Sequence, residues 1–269
     1  MGQALGLRGA LGSAQRAASP PQGTALPHNR CSHMTRPVAL FIAAERMEFE
    51  GGLRFVRPTP LDWGLRFACE AELNGSTALF VAHGPGMQLA GFAADAVRQR
   101  VKPDLVVSTG FCGALDPELN CGDILIATSV IDVENGRTFA ARTPERGCSS
   151  AKTGALVCSN RVAVSVEDKR QLAQTGARAV EMESGAIAWR AGIWGAPFYC
   201  IRAVSDAATD TLPIDFNRMR DAAGRFNRAS IVTAALMRPW TGIPGLLRLS
   251  SGCRKASTSL GEFFANCRL

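Results

Sequence analysis

The stretch AVEMESGAIAW, residues 179–189, joins an apolar strand to a helix and carries two acids at the junction. Glu181 and Glu183 flank Met182, and alternate side chains of an extended chain share one side, so both acids would point the same way. Acids are also favoured at a helix N-terminus, where they complement the helix dipole. The pattern therefore leaves two interpretations open, a helix start and a binding site for hydroxyl groups.

Apolar strands and helices alternate on both sides of this junction. Strands are predicted at VALFIAA (38–44), TALFVAH (77–83), DLVVSTG (104–110), GDILIATSVI (122–131), GALVCS (154–159) and PFYCIRAVSD (197–206). Helices are predicted at about residues 86–100, 184–194 and 215–237. Apolar, β-branched runs separated by helices predict an α/β fold with three layers, αβα, around a central mixed and mostly buried sheet.

The net charge of +7 comes from the two ends of the chain. Residues 1–44 hold four arginines and no acid, and residues 236–269 hold five basic residues and one acid. The middle is close to neutral, which argues against a nucleic-acid-binding domain. We expect a disordered extension or mis-called start over 1–33, one domain over 34–237, and a basic amphipathic tail over 238–269.

The nine cysteines include no C-x-x-C pair, and most of them lie in or beside apolar segments. Free thiols are common in such positions, so we expect neither a disulfide framework nor a metal site. A reducing cytoplasm is the expected compartment. No apolar run reaches the roughly 18 residues that a membrane-spanning helix needs.

Polar and glycine residues recur where the predicted strands end. In open α/β sheets, ligands bind at the carboxyl ends of strands. The groups at these ends are Arg46 and Glu48, then Gly84 and Gly86, then Ser108 and Thr109, then Glu181 to Glu183, and finally Ser205 and Asp206. Each group alone is a weak signal, and their shared position predicts one site.

Three ordered segments resemble the nucleoside phosphorylase and nucleosidase superfamily: VVSTGFCGALDPELNCGDILIATSVI (106–131), AVEMESGAIAW and PFYCIRAVSDAATD (197–210). The resemblance covers roughly residues 37–235. That superfamily includes purine nucleoside phosphorylases and methylthioadenosine/S-adenosylhomocysteine nucleosidases. AAERMEFEGGLRF (43–55) and DTLPIDFNRMRDAAGRFNRA (210–229) are most similar to its hopanoid-associated phosphorylase branch.

The resemblance implies a role for each acid of the site. Glu183 matches the carboxylate that accepts hydrogen bonds from the ribose 2′- and 3′-hydroxyls, with Met182 packed on the sugar and Glu181 as an orienting group. Asp206 matches the acid that protonates N7 of the leaving purine, and Ser205 would orient it. The family pattern S-D-x-A-D is broken here, because position 209 is Thr and the second Asp stands at position 210.

The attacking group is left open by the sequence. Glu48 aligns with the glutamate that activates water in nucleosidases. A phosphorylase instead needs anion donors near C1′ of the ribose, and the residues predicted to bind phosphate are Arg46, Gly84, Gly86, Ser108 and Thr109. No aromatic residue stands near CSNRVAV (158–164), so Phe111 is the expected purine-stacking residue.

The expected function is that of a glycosyltransferase or N-glycosidase releasing adenine from a small-molecule or lipid-linked nucleoside. Phosphorolysis of adenosylhopane in hopanoid side-chain biosynthesis is favoured. A hydrolytic methylthioadenosine/S-adenosylhomocysteine-type nucleosidase and an inactive nucleoside-binding protein are the alternatives. No cofactor is expected beyond inorganic phosphate as co-substrate.

The expected partners are the nucleoside and further copies of the same chain, as a homo-oligomer. The tail also leaves two interpretations open, since its apolar and basic residues suit either docking on the domain or contact with the inner face of a membrane.

Overall fold

The computed structural model describes residues 36–145, 150–221, 224–237 and 239–269. The extension predicted over 1–33 lies outside these residues. The described chain contains the strands β1 Val38–Ala43, β2 Thr59–Pro60, β3 Phe67–Leu73, β4 Ser76–Ala82, β5 Leu105–Ala114, β6 Ile124–Asp132, β7 Arg137–Ala140, β8 Lys152–Cys158, β9 Ala179–Glu181 and β10 Phe198–Asp206.

These strands form one mixed sheet of ten strands in the order β10-β6-β8-β9-β5-β1-β4-β3-β2, with β7 paired to β6. Strand β1 runs parallel to β4 and β5, whereas β3 runs antiparallel to β4. Because β10 also pairs with β5, the strands β5, β10, β6, β8 and β9 form a closed circuit. The carboxyl ends of β1, β5 and β10 lie at one edge of the sheet because these strands are parallel, and the short antiparallel strand β9 pairs with the last two residues of β5.

Helices cover both faces of the sheet. They are α1 Glu50–Leu53, α2 Met87–Arg98, α3 Val166–Ala173, α4 Ser184–Trp194, α5 Arg228–Leu236 and α6 Pro239–Asn266. Leu40 on β1 belongs to the core cluster that contains Ala94 of α2 and Ile187 of α4. Phe41, on the opposite face of the same strand, belongs to the cluster that contains Leu260 of α6. The predicted three-layer α/β fold is therefore confirmed.

The basic tail predicted over 238–269 is, from Pro239, the helix α6. Its second half buries apolar residues against the sheet, namely Ala256, Leu260, Phe263 and Phe264. Residues 36–269 form one compact unit, so the domain continues past residue 237. The first half of α6 is different, because Trp240 is 91% exposed and Leu247 is 64% exposed. Among the described residues, none of the helices has both the length and the apolarity to cross a membrane.

The single long helix predicted over 215–237 is wrong. The structure has a short 3₁₀ turn at Phe216–Met219, and helix α5 begins only at Arg228. Asp215 accepts a hydrogen bond from the Asn217 amide at the start of the 3₁₀ turn. Gly224 then adopts a left-handed conformation with φ of +80°, which glycine alone adopts readily and which interrupts a right-handed helix.

Candidate active site

A cavity of about 220 Å³ opens where β1, β5, β9 and β10 end. All seven residues that were predicted to catalyse or to bind substrate line it: Glu48, Phe111, Glu181, Met182, Glu183, Ser205 and Asp206. The fold thus brings together residues that are up to about 160 positions apart in the sequence. Their convergence is the main feature of the site.

The residues that were predicted to bind phosphate are not brought together, and none of them lines this cavity: Arg46, Gly84, Gly86, Ser108 and Thr109. Arg46 is exposed and lies over the ring of Phe67, 5.5 Å from its centroid. The Gly86 amide already donates to Glu183 Oε1 at 2.8 Å. Ser108 lies within β5, which continues to Ala114, and its side chain is buried.

The two acids of the junction have different tasks. Strand β9 ends at Glu181, so the expected alternation stops there, and Met182 lines the same cavity as both acids. The Glu181 carboxylate accepts hydrogen bonds from the amides of Glu183 (2.9 Å) and Ser184 (3.0 Å) at the first turn of α4. Glu183 instead faces the Gly86 amide. The helix-start interpretation therefore applies to Glu181, and the binding-site interpretation remains for Glu183.

Arg202, in the middle of β10, was missed by sequence reasoning and organises this part of the site. Its side chain is fully buried. The guanidinium donates to Glu181 and lies 3.6 Å from Glu183 Oε2. It also donates to Ser108 Oγ (2.7 Å), the Thr109 carbonyl (2.8 Å) and Ser184 Oγ (2.9 Å). We call Arg202, Glu48, Glu181 and Glu183 the Arg202 network.

Burial changes the acid strength of this network. It raises the pKa of Glu183 to about 8, and the neighbouring Glu181 charge adds to the effect while Arg202 opposes it. Burial also raises the pKa of Glu48, again against the charge of Arg202. Glu48 is held by the amides of Glu45 and Phe111, each at 2.8 Å. A buried carboxyl with a raised pKa is suited to act as a general base near neutral pH.

Asp206 lies at the end of β10 and is held through both of its oxygens. Ser205 Oγ donates to Oδ1 at 2.7 Å, which is the contact that sequence reasoning predicted. Lys169 Nζ donates to Oδ2 at 2.5 Å and to the Ala207 carbonyl at 2.6 Å. The Lys169 side chain, on α3, is only 2% exposed. This lysine was also missed, and we call the two residues the Lys169–Asp206 pair.

The broken S-D-x-A-D pattern has a structural consequence. Asp210 Oδ2 accepts a hydrogen bond from the Ala207 amide at 2.8 Å, and the Asp210 amide donates to the Ala207 carbonyl at 3.0 Å. The acid that stands one position late thus closes the turn after Asp206. Its shift leaves the contacts of Asp206 with Ser205 and Lys169 in place.

The rest of the cavity wall is apolar. Phe111 lines the cavity as expected, and Phe216 and Phe226, which were missed, line it as well. Those two rings meet edge to face with centroids 5.8 Å apart. Leu212 and Leu249 complete this side of the wall, with Leu249 contributed by α6. Flat aromatic rings beside acidic groups suit a ligand with a planar base and a sugar.

Comparison with known proteins identifies the family. The family model described as Phosphorylase superfamily matches residues 64–236. A 5′-methylthioadenosine/S-adenosylhomocysteine nucleosidase of Glaesserella parasuis is 29% identical over 194 residues, which cover 62% of this chain and 84% of that protein. The nucleosidase of the same name from Staphylococcus aureus is 30% identical over 177 residues, covering 56% of this chain and 78% of that protein.

Solved structures show the same fold. The 5′-methylthioadenosine/S-adenosylhomocysteine nucleosidase of Neisseria meningitidis, in complex with methylthio-immucillin-A, has a TM-score of 0.65 at 22% identity and covers 85% of this chain and 96% of its own. Futalosine hydrolase of Helicobacter pylori has a TM-score of 0.64 at 15% identity, covering 86% and 96%. The family model spans more than half of the sequence, and this confirms the resemblance seen in the three motifs: the chain belongs to the Phosphorylase superfamily.

Proposed function

We propose that the chain cleaves the N-glycosidic bond of an adenine nucleoside. The observation that supports this best is the presence of Glu48, Glu183 and Asp206 on the wall of one cavity. Glu183 would accept hydrogen bonds from the ribose hydroxyls, since a carboxylate offers two acceptor oxygens. Asp206 would serve the leaving base, which needs a proton at N7. The nucleosidase names of the relatives support the same substrate class.

Water is the attacking group that the geometry supports best. Glu48 lines the cavity, is 6% exposed and has a raised pKa, as a base that activates water should. The residues predicted for phosphate lie outside the cavity wall. Phosphorolysis, which the hopanoid-associated resemblance implies, remains the alternative reaction. It would require a phosphate site made by other groups.

The phosphate dependence of adenine release separates these reactions. The full chain is incubated with adenosine, methylthioadenosine and a lipid-linked adenosine, with and without inorganic phosphate, and free adenine and the sugar product are measured. Hydrolysis predicts full activity without phosphate and a free ribosyl product. A rate that rises saturably with phosphate and yields a ribose 1-phosphate product would establish phosphorolysis. Absence of adenine release from all three substrates would favour a nucleoside-binding protein and reject the proposal.

A lipid-linked nucleoside such as adenosylhopane is supported by the surface beside the cavity. Leu249 lines the cavity and belongs to the same helix, α6, as the exposed Leu247. Further exposed apolar residues precede it on α5, on α6 and between the two helices: Val232, Leu236, Met237, Trp240 and Ile243. Arg248, Arg254 and Lys255 on α6 are exposed as well. We propose that this surface contacts an anionic membrane, where apolar burial and basic charge act together.

A vesicle experiment tests this contact without removing the buried half of α6. The parent chain, the double variant Trp240→Ser/Leu247→Ser and the control Phe55→Ser are sedimented with phosphatidylglycerol vesicles at low salt. Phe55 is an exposed apolar residue outside α5 and α6. The double variant should bind several-fold less than the parent and the control. No binding by the parent, or equal binding by all three chains, would reject the membrane contact.

A homo-oligomer is supported by a second exposed apolar surface. Phe92 on α2 and Trp189 and Ile193 on α4 are 54%, 45% and 64% exposed. The two helices pack against each other, and apolar groups of this size favour burial in an interface. Light scattering after size exclusion should give a mass above the monomer for the parent and a smaller mass for Ile193→Glu. A monomeric parent would contradict this expectation.

A further inference from the structure

The Lys169–Asp206 pair raises a question about where the proton for the leaving base originates. Both Asp206 oxygens already accept hydrogen bonds, one from the Ser205 hydroxyl and one from the Lys169 ammonium. An ionised carboxylate is an acceptor only and has no proton of its own to give. The proton must therefore pass through one of these two donors, and an ammonium is a far stronger acid than a serine hydroxyl.

The surroundings of the pair leave Lys169 as the available donor. Lys169 is 2% exposed, so its ammonium group has little contact with bulk water. Three thiols lie near Asp206, those of Cys112, Cys121 and Cys253, and burial raises the pKa of each, which keeps them neutral. Within the described residues, Lys169 is the cation that forms a salt bridge with Asp206.

We propose, on the basis of the function proposed above, that Lys169 is the proton source behind Asp206 in the release of the base. Lys169 lines the cavity beside Asp206, so a bound nucleoside covers the pair and excludes water from it. Removal of water disfavours both charges of an ion pair. Transfer of one proton from the ammonium to the carboxylate neutralises the two groups together and leaves Asp206 as the acid.

The proton balance of the step is complete. When the bond between C1′ and N9 breaks, its electron pair passes to the purine, and N7 takes the proton of the Asp206 carboxyl group. Lys169, which supplied that proton, is left as a neutral amine. The oxygen of the attacking water bonds to C1′, and the proton that it loses passes to Glu48. After the products leave, that proton returns to solvent and the Lys169 amine takes one up. Lys169 acts through Asp206 and is in this sense a positioning residue.

Two substitutions distinguish a proton source from a group that only holds Asp206. Lys169→Met keeps an unbranched side chain, one atom shorter, and removes both the charge and the proton. Lys169→Arg keeps the charge, but a guanidinium does not deprotonate in proteins. The control Lys102→Met removes an exposed lysine that lies between α2 and β5. Thermal unfolding confirms that each variant is folded.

Each chain is assayed with an adenine nucleoside that the parent cleaves and with its N7-methylated analogue. The methylated base leaves as a neutral molecule without protonation, so it does not need the acid. Both Lys169 variants should lose about 10²–10⁴-fold on the ordinary nucleoside. They should stay within a few-fold of the parent on the methylated one, and Lys102→Met should match the parent on both.

Two results would overturn the proposal. If Lys169→Arg cleaves the ordinary nucleoside within a few-fold of the parent rate, Lys169 only holds Asp206. If either folded variant loses as much activity on the methylated nucleoside as on the ordinary one, the role of Lys169 is structural. Failure of the parent chain to release adenine at all would reject the proposed function itself. That outcome is distinguishable from the two results above, because in those the parent chain is active.

Discussion

The Arg202 network and the Lys169–Asp206 pair lie beside the same cavity, but they differ in the ratio of basic to acidic side chains. One guanidinium faces three buried acids in the network, whereas one ammonium contacts one carboxylate in the pair. Burial disfavours uncompensated charge, so the pKa of Glu48 and that of Glu183 are raised.

The difference shows that the number of cations within reach decides what a buried carboxyl group can do. Where acids outnumber cations, burial raises their pKa values, which suits Glu48 to take up the proton of the attacking water. Where the numbers match, a single proton transfer neutralises both partners. Four predictions test this contrast.

Removal of the network's cation should have the largest effect. Arg202→Met leaves Glu181 buried without its ion partner, and loss of one partner of a buried pair costs about 3–5 kcal/mol of unfolding free energy. Urea denaturation measures the loss. The matched control is Arg190→Met, whose pair with Asp95 on the surface of α4 and α2 is 25% and 50% exposed, and it should lose about 1 kcal/mol or less. Similar losses for both variants would contradict the contrast.

Asp206→Asn should abolish turnover while binding survives. The amide keeps the shape of the side chain but cannot act as the acid, so kcat should fall about 10²–10⁴-fold. Calorimetric titration with the nucleoside should give a Kd within a few-fold of the parent value. Asp210→Asn is the control, since Asp210 only accepts from a backbone amide, and its loss should be much smaller. Adenine release by Asp206→Asn near the parent rate would show that another group is the acid.

Glu183→Gln should weaken the use of ribonucleosides far more than the use of 2′-deoxy analogues. At a pH above the Glu183 pKa of about 8 the carboxylate is ionised, and hydrogen bonds to a charged group contribute about 1.5–3 kcal/mol, so kcat/KM for the ribonucleoside should fall about 10–100-fold there. Steady-state rates with both substrates give the selectivity directly. Glu118→Gln, a change to an 80% exposed acid, serves as the control. Equal losses on the two substrates would remove Glu183 from the sugar contact.

The smallest expected effect is the pH dependence of folding stability that Glu183 causes. The pKa of Glu183 is about 8 in the folded chain and 4.5 ordinarily, so the folded state binds more protons between these values. Stability from this group therefore falls as pH rises through that window. Glu183→Gln removes the dependence, and its Tm relative to the parent should rise by a few degrees from pH 5 to pH 8. A difference in Tm that does not change with pH would show that Glu183 is ionised throughout.

Much of the fold and part of the site could be predicted from the sequence. Helix α4 was predicted over its full length, and the strand-end rule placed the acids in one cavity. The rule failed for Ser108 because β5 continues to Ala114, which leaves Ser108 inside the strand. Position near a strand end does not determine where a side chain points.

Arg202 and Lys169, the two basic residues of the site that were not predicted, differ in how strongly the sequence indicated their burial. Arg202 interrupts an apolar strand, and a charge in a buried strand must have a partner, so the sequence contained a signal for it. Lys169 stands in the polar helix VEDKRQLA, where a lysine is ordinarily exposed. Its burial results from the way α3 packs beside the end of β10, which no local pattern encodes.

The contact of α6 with the catalytic strand limits how this helix can vary. A side chain at Gly252 would collide with the backbone carbonyl of Ser205, which is the residue before Asp206. A side chain at Gly261 would collide with the backbone of Gly51 on α1. A generic amphipathic helix of equal length could not replace α6, because its inner face must lack side chains at these points. Mutational drift and protein engineering alike are confined there to the solvent face, and Gly252 marks the point at which the helix approaches the active-site strand.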